Sequence, residues 1–165
     1  MSTLLELFPD TVFSIREATV SDVPVILQLI RELADYEQLA NEVVATEAGL
    51  ADTLFGERRY AEVLLAEEGE PAGFCLFFHN YSTFLGKPGI YIEDLFVRPE
   101  YRGKSIGKAL FNKVAKIAFE RQCGRLEWAV LDWNKSAIAF YVAMGAKLMD
   151  EWKIYRLTED QFANL

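Results

Sequence analysis

The stretch Tyr91-Ile92-Glu93-Asp94-Leu95-Phe96-Val97-Arg98-Pro99-Glu100-Tyr101-Arg102-Gly103-Lys104-Ser105-Ile106-Gly107-Lys108 changes character twice. It starts rich in β-formers, crosses a polar turn, and ends where an apolar helical stripe of Ile106, Leu110, Val114 and Ile117 begins. A strand predicted over 90–97 therefore runs into a helix predicted over 105–121. The first turn of such a helix exposes unpaired N–H groups at the positive end of its macrodipole. Gly103 and Gly107 allow an anion to approach the backbone closely. A pyrophosphate would be held there mainly by amides, with Arg102, Lys104 and Lys108 adding charge; the same pattern also describes a glycine-bearing turn before an ordinary helix. The Gly-Lys-Ser at 103–105 is not a P-loop, because the required glycine five positions earlier is Arg98. A dinucleotide fingerprint is excluded too, since the first strand of the chain lacks the glycines.

Toward the N-terminus, turn signals at 68–71 and 86–89 separate strands predicted over 61–67, 72–79 and 90–97, an antiparallel meander. Before these come a strand over 12–18, after a short arm at 1–10, and a helix with Thr19 or Ser21 as cap and Pro24 in its first turn. A second helix is predicted over 47–55, and the connection between the two helices carries Glu37 and Glu42. Toward the C-terminus follow a strand over 125–131, a short helix over 136–144 stopped by Gly145, and one or two closing strands over 147–157. A meander followed by βαβ connections predicts a mixed, mostly antiparallel α/β sheet of six to seven strands with helices on both faces.

The 165 residues fit one domain spanning 1–165, and a 52% apolar content with twelve Phe supplies a core. A net charge of -8 repels phosphate backbones and attracts cations, which disfavours nucleic acid as partner. Cys75 and Cys123 form neither a disulfide framework nor a CxxC metal motif, and His79 is the only histidine, so no metal site is expected. No basic leader precedes an apolar run and no stretch reaches membrane-spanning length; the expectation is a cytoplasmic protein without membrane contact.

The run from Ile92 to Gly107, with Arg-Gly-x-x-Ile-Gly after a strand ending in Val, resembles the central motif of the GNAT N-acetyltransferase superfamily. Downstream, Asn134-Lys135-Ser136-Ala137-Ile138-Ala139-Phe140-Tyr141-Val142-Ala143-Met144-Gly145-Ala146 resembles its second signature, Asn-x-x-Ala-x-x-Phe-Tyr-x-x-x-Gly. The resemblance runs from about Phe13 to Leu157. It is closest to the diamine (spermidine/spermine) and thialysine acetyltransferase branch, through Ile30 to Glu37, Phe84 to Lys87 and Tyr91 to Val97. Ser82, after Tyr81, stands where the polyamine enzymes lead one to expect an acidic residue.

The resemblance implies acetyl-CoA as co-substrate, a small cationic amine as acceptor, and a homodimer. It implies that the backbone of Leu95, Phe96 and Val97 pairs with the pantetheine arm, and that Arg102, Gly103, Lys104, Ser105, Ile106, Gly107 and Lys108 hold the pyrophosphate. It further implies that Asn134 and Ser136 contact the thiol end, and that Tyr141 protonates the leaving thiolate. An alkyl ammonium has a pKa near about 10.4 and must lose a proton before attack. Glu93 is the candidate to take it through water; Glu93 and Asp94 alternate along the strand, so only one is expected to face the cleft. Tyr36, Glu37, Glu93, Asp94, Glu127, Asp150 and Trp152 are candidates for an acidic, aromatic-edged acceptor pocket. Two other readings fit the sequence: an acyl-CoA-binding sensor without turnover, and a protein lysine or N-terminal acetyltransferase.

Overall fold

The structure, a computed structural model, describes residues 12–164. The predicted arm at 1–10 lies outside the described residues. Two compact units divide after Ala129.

In the first unit, β1 (Ser14–Glu17) leads into a 3-10 turn, Val20–Asp22, with Thr19 as N-cap in a capping box with Asp22. The Asp22 carboxylate also takes a fork of two bonds from Arg16 at 2.8 and 2.9 Å, which holds its pKa well below the usual carboxylate range. Then come α1 (Val23–Tyr36), with Pro24 in its first turn, and α2 (Glu47–Phe55), capped by Thr46. β2 (Glu62–Glu68), β3 (Glu70–Ser82) and β4 (Lys87–Val97) form the expected antiparallel meander. α3 (Ile106–Glu120) then carries the chain to β5 (Leu126–Trp128), which lies parallel to β4. The sheet order is β1-β2-β3-β4-β5.

Alternation along the strands divides the core. Val63, Leu65, Phe74 and Phe96 face one way and pack with Ile26, Leu29 and Leu54 of α1 and α2. Leu64, Phe77, Ile90 and Ile92 point the other way and are buried, as are Ile106, Leu110 and Val114 of α3. A T-shaped contact between Phe111 and Trp128, ring centroids 5.2 Å apart, ties α3 to β5 on that second face.

In the second unit, α4 (Lys135–Ala143) ends on Gly145 at φ +88, with Ala146 N–H donating to Tyr141 O at 3.1 Å and Gly145 N–H to Val142 O at 3.0 Å. These paired reversed bonds satisfy the last carbonyls of the helix. A one-turn helix α5 (Glu159–Phe162) follows.

The described sheet has five strands, fewer than the six to seven expected. The difference lies over 147–157, where the predicted closing strands are absent. The alternation there is genuine, yet Leu148, Ile154 and Tyr155 are exposed at 86%, 78% and 92%. Periodicity nominates a strand, but a ladder partner makes one, and none is assigned to this segment among the described residues.

Candidate active site

The site grows out of an irregularity in β4. Leu76 pairs with Asp94, but the next residue, Phe77, pairs with Ile92, so Glu93 is an extra residue in β4. This β-bulge sets two β4 residues against one on β3. Asp94 shares the side of its partner Leu76 and of Phe96, the side facing α1. Ile92 points to the opposite, buried side, which leaves Glu93 next to Asp94 on the α1 side. The expectation that only one of the two carboxylates can face the cleft is thus corrected: a regular strand would separate them, and the bulge brings them together.

The electrostatics agree with that placement. Burial, then the charge of Glu93, then that of Glu37 push the Asp94 carboxyl up to about 7. Glu37 is the C-cap of α1, and burial raises its pKa as well. The chain leaves α1 through Gln38 at φ 62, with Leu39 N–H donating to Ala34 O at 2.7 Å, and this turn fixes where Glu37 stands. Three carboxylates on one face form a negative field for a cation.

On the same face the strands beside the bulge carry rings and a mixed-charge cluster. Phe78 and Tyr91, paired across β3 and β4, lie 5.3 Å apart by centroid. Tyr91 is opposite Glu127 of β5. Glu127 Oε1 accepts from Asn80 Nδ2 at 3.1 Å and pairs with Arg125 Nε at 2.7 Å. Ser82 is buried, and its Oγ accepts from the Leu85 amide at 3.2 Å, so it secures the β3–β4 turn.

The other end of β4 is built differently. The parallel ladder ends at Ile92 with Trp128, so from Glu93 to Val97 the β5-side edge of β4 has no assigned strand partner within this unit. Leu95, Phe96 and Val97 present backbone groups along that edge. Arg98 anchors it: Nε and Nη2 fork onto Glu32 of α1 at 2.7 and 2.9 Å, and Nη1 donates to Pro71 O at 2.7 Å. An open cleft of about 570 Å³, lined by Glu32, Tyr36, Phe96 and Arg98 among others, lies between α1 and this strand end.

The loop beyond has the geometry an anion site requires. Gly103 and Ser105 are left-handed at φ 78 and φ 65, and no side chain caps α3. A Cβ at Gly103 would meet no atom within 4 Å, so its glycine answers to backbone conformation alone. Arg102 folds back, with Nε donating to Val97 O at 2.9 Å and the guanidinium 4.7 Å from the Tyr36 ring centroid. Lys104 Nζ lies 2.7 Å from Glu68, and Lys108 on the first turn of α3 is exposed.

Of the predicted residues, the first unit gathers Tyr36, Glu37, Glu93, Asp94, Glu127, Leu95, Phe96, Val97 and the segment from Arg102 to Lys108. In the second unit Asn134 is the N-cap of α4; its Oδ1 accepts from Ser136 Oγ at 3.1 Å and from the Ala137 amide at 3.3 Å. Tyr141 is half-buried, its ring 5.1 Å from that of Phe140. Asp150 and Trp152 are exposed in the segment without regular structure. Sequence reasoning missed Asn80, Tyr91, Arg98 and Arg125. Arg125 had a signal, since opposite charges two apart on a strand share a face and Glu127 was already a candidate; Asn80 had none, because only register brings it to β5.

Comparison with known proteins joins this geometry to a family. The acetyltransferase (GNAT) family model matches residues 27–146. The chain is 42% identical to thialysine N-epsilon-acetyltransferase of Bos taurus, over 92% of this chain and 95% of the relative. It is 40% identical to L-ornithine N5-acetyltransferase NATA1 of Arabidopsis thaliana, over 88% and 84% of the two chains. Among solved structures, an integron cassette protein from the mobile metagenome of V. cholerae matches with a TM-score of 0.77 at 27% identity, covering 93% of this chain and 97% of that one. The split β4 edge, the uncapped helix behind a left-handed loop and these matches together establish that the chain belongs to the GNAT family of acetyltransferases.

Proposed function

We propose that the protein, acting as one acetyltransferase domain, transfers an acetyl group from acetyl-CoA directly to a primary amine of a small cationic acceptor. The observation that carries this reading is the bulge at Glu93. It sets two carboxylates on one face of β4, immediately before the strand edge that ends at the anion-ready loop. The relatives named for thialysine and ornithine acetylation support an acceptor of that kind.

In this reading the pantetheine arm adds to the β4 edge over Leu95, Phe96 and Val97, where the strand lacks a partner. The pyrophosphate meets the amides of the α3 N-terminus, with Arg102, Gly103, Lys104, Ser105, Ile106, Gly107 and Lys108 around it. Arg102 must release Val97 O for that to happen, which frees its guanidinium for the phosphates. A backbone N–H of β4 polarises the thioester carbonyl and holds the oxyanion of the tetrahedral intermediate. Tyr36, Glu37, Asp94 and Glu127, with Asp150 and Trp152, attract and seat the cationic acceptor. Glu93 takes its proton through water, and Asp94, titrating near neutrality, biases that transfer. The freed nitrogen attacks the carbonyl carbon, the C–S bond breaks, the thiolate takes a proton from Tyr141, and the surplus proton on the new amide nitrogen passes through water to restore the Tyr141 phenol. Asn134 and Ser136 support the thiol end. The reading includes a homodimer and a cytoplasmic setting, the latter in keeping with free Cys75 and Cys123. Among the described residues no helix is long and apolar enough to cross a membrane.

The test is thiol release from acetyl-CoA with a panel of amines (ornithine, lysine, thialysine, putrescine, spermidine, a basic peptide) for the wild type and for Tyr141→Phe. At least one small amine should be acetylated well above background, and Tyr141→Phe should lower kcat about 100-fold with CoA still bound. Background rates for every small amine, or undiminished turnover in the variant, contradict the acceptor class or the acid respectively.

A further inference from the structure

In the mixed-charge cluster around Glu127 on β5, Asn80 and Arg125 have no role in the transfer step, yet they lie on the same face as the acid pair. From Glu93 to Glu127 is two residues back along β4 and one strand across, about 8 Å by strand geometry. The direct approach passes Tyr91, which pairs with Glu127 in the ladder and packs in a tilted contact against Phe78. The three members are held together. Asn80 Nδ2 donates to Glu127 Oε1 at 3.1 Å; Arg125 Nε lies 2.7 Å from the same oxygen; Arg125 Nη2 donates to Tyr81 O at 3.1 Å. Both side chains of the pair are 38% exposed, so the cluster is open to a ligand.

A second observation marks the cluster as built. Gly89, buried in β4 between β3 and β5, has no Cβ to put there. A Cβ would stand 2.3 Å from Asn80 Oδ1 and 3.1 Å from Arg125 Cγ. Asn80 Oδ1 is itself buried without a hydrogen-bond partner. The backbone of β4 is thus kept bare so that Asn80 and Arg125 can converge on Glu127 from opposite sides. Arg125 stands beside Glu127 on a face that also presents Glu93 and Asp94, so a guanidinium is paired with a carboxylate within reach of the acid pair.

We propose that Asn80, Arg125 and Glu127 form a subsite for the zwitterionic head of a diamino acid, and so select it over a diamine of the same length. This rests on the reading of the β4 face as the acceptor site. A diamine carries a second cation to this place, where Arg125 opposes it. A diamino acid carries a carboxylate and an ammonium on one carbon, the complement of a guanidinium beside a carboxylate. Arg125 offers its outer N–H groups to the carboxylate in the fork geometry that pair favours. Glu127, oriented by Asn80, accepts from the α-ammonium. The side-chain amine then extends past Tyr91 toward Glu93 and Asp94. Asn80 acts through Glu127 and is a positioning residue; Arg125 and Glu127 touch the acceptor.

The experiment compares kcat and KM for ornithine and for putrescine, its counterpart without the carboxylate, in the wild type, Arg125→Met and Arg125→Lys. The wild type should favour ornithine in kcat/KM by about tenfold or more. Arg125→Met should erase most of that preference through a raised KM for ornithine and a lowered KM for putrescine. Arg125→Lys, which keeps the charge and loses the fork, should fall between. Equal use of the two amines by the wild type overturns the proposal with no variant needed, as does an equal loss for both amines in Arg125→Met. Should neither these nor any other small amine be acetylated, the reading of the face as an acceptor site fails instead.

Discussion

Asp94 illustrates how one residue's environment trades stability for chemistry. Its carboxyl is raised from 3.8 to about 7, first by burial and then by Glu93 and Glu37. A raised carboxyl pKa means that the folded state binds a proton the unfolded chain has already released. Stability therefore falls as pH rises from about 4 to about 7, and the cost persists above that range. Asp94→Asn removes the cost: urea unfolding at pH 8 should show the variant more stable by up to about 4 kcal/mol, with no gain at pH 4. Activity should move the other way. The wild-type kcat/KM should climb through about pH 7 as Asp94 ionises, and Asp94→Asn should lose that step. It should keep the climb set by the acceptor ammonium nearer about 10.4. A variant with an unaltered step near 7 would assign the titration to another group. Glu93 and Asp94 were legible as candidates from their place in the motif; their adjacency was not, because a bulge depends on the register of β3 against β4.

At the scale of elements, most helices and strands could be read from the sequence because each carries its own signal. Thr46 caps the start of α2, whose limits match the predicted 47–55, and Ser105 and Arg121 flank α3 as the stripe predicts. β3 and β4 run longer than expected, since pairing extends a ladder past the residues that announce it. The closing strands failed for the opposite reason: apolar alternation over 147–157 met no assigned partner. The junction of β3 and β4 is where element packing bears on the site. A Cβ on Gly73 would stand 2.4 Å from Phe96 O and 3.0 Å from Val97 Cα. Gly73→Ala should therefore force the strands apart beside the free β4 edge, costing about 1–3 kcal/mol. Affinity for CoA should fall together with stability, measured by urea unfolding and CoA titration. A variant that loses neither would show that the junction tolerates displacement.

For the whole molecule, the reading stands on recognition of a CoA thioester by the β4 edge and the α3 N-terminus. A ligand that binds only the folded chain stabilises it by mass action. Acetyl-CoA at 100 times its Kd adds about 2.7 kcal/mol, and a chain of this size should gain about 5–10 °C in Tm. Free adenine, which lacks the pyrophosphate, should give no comparable shift, and no shift with acetyl-CoA would remove the basis for transfer. The sequence alone determined the family, the order of the elements from β1 to α4, the loop from Arg102 to Lys108 and the acidic composition. Each of these is written in contiguous residues: a motif, a period, a cap, a charge. Tertiary structure decided that Glu93 and Asp94 lie side by side, that β5 stops opposite Ile92 and leaves one edge of β4 from Glu93 to Val97 without an assigned partner in that unit, and that Asn80 and Arg125 meet at Glu127. These are matters of register between strands far apart in the chain, and register is fixed by the packing of a shared core, not by any segment on its own.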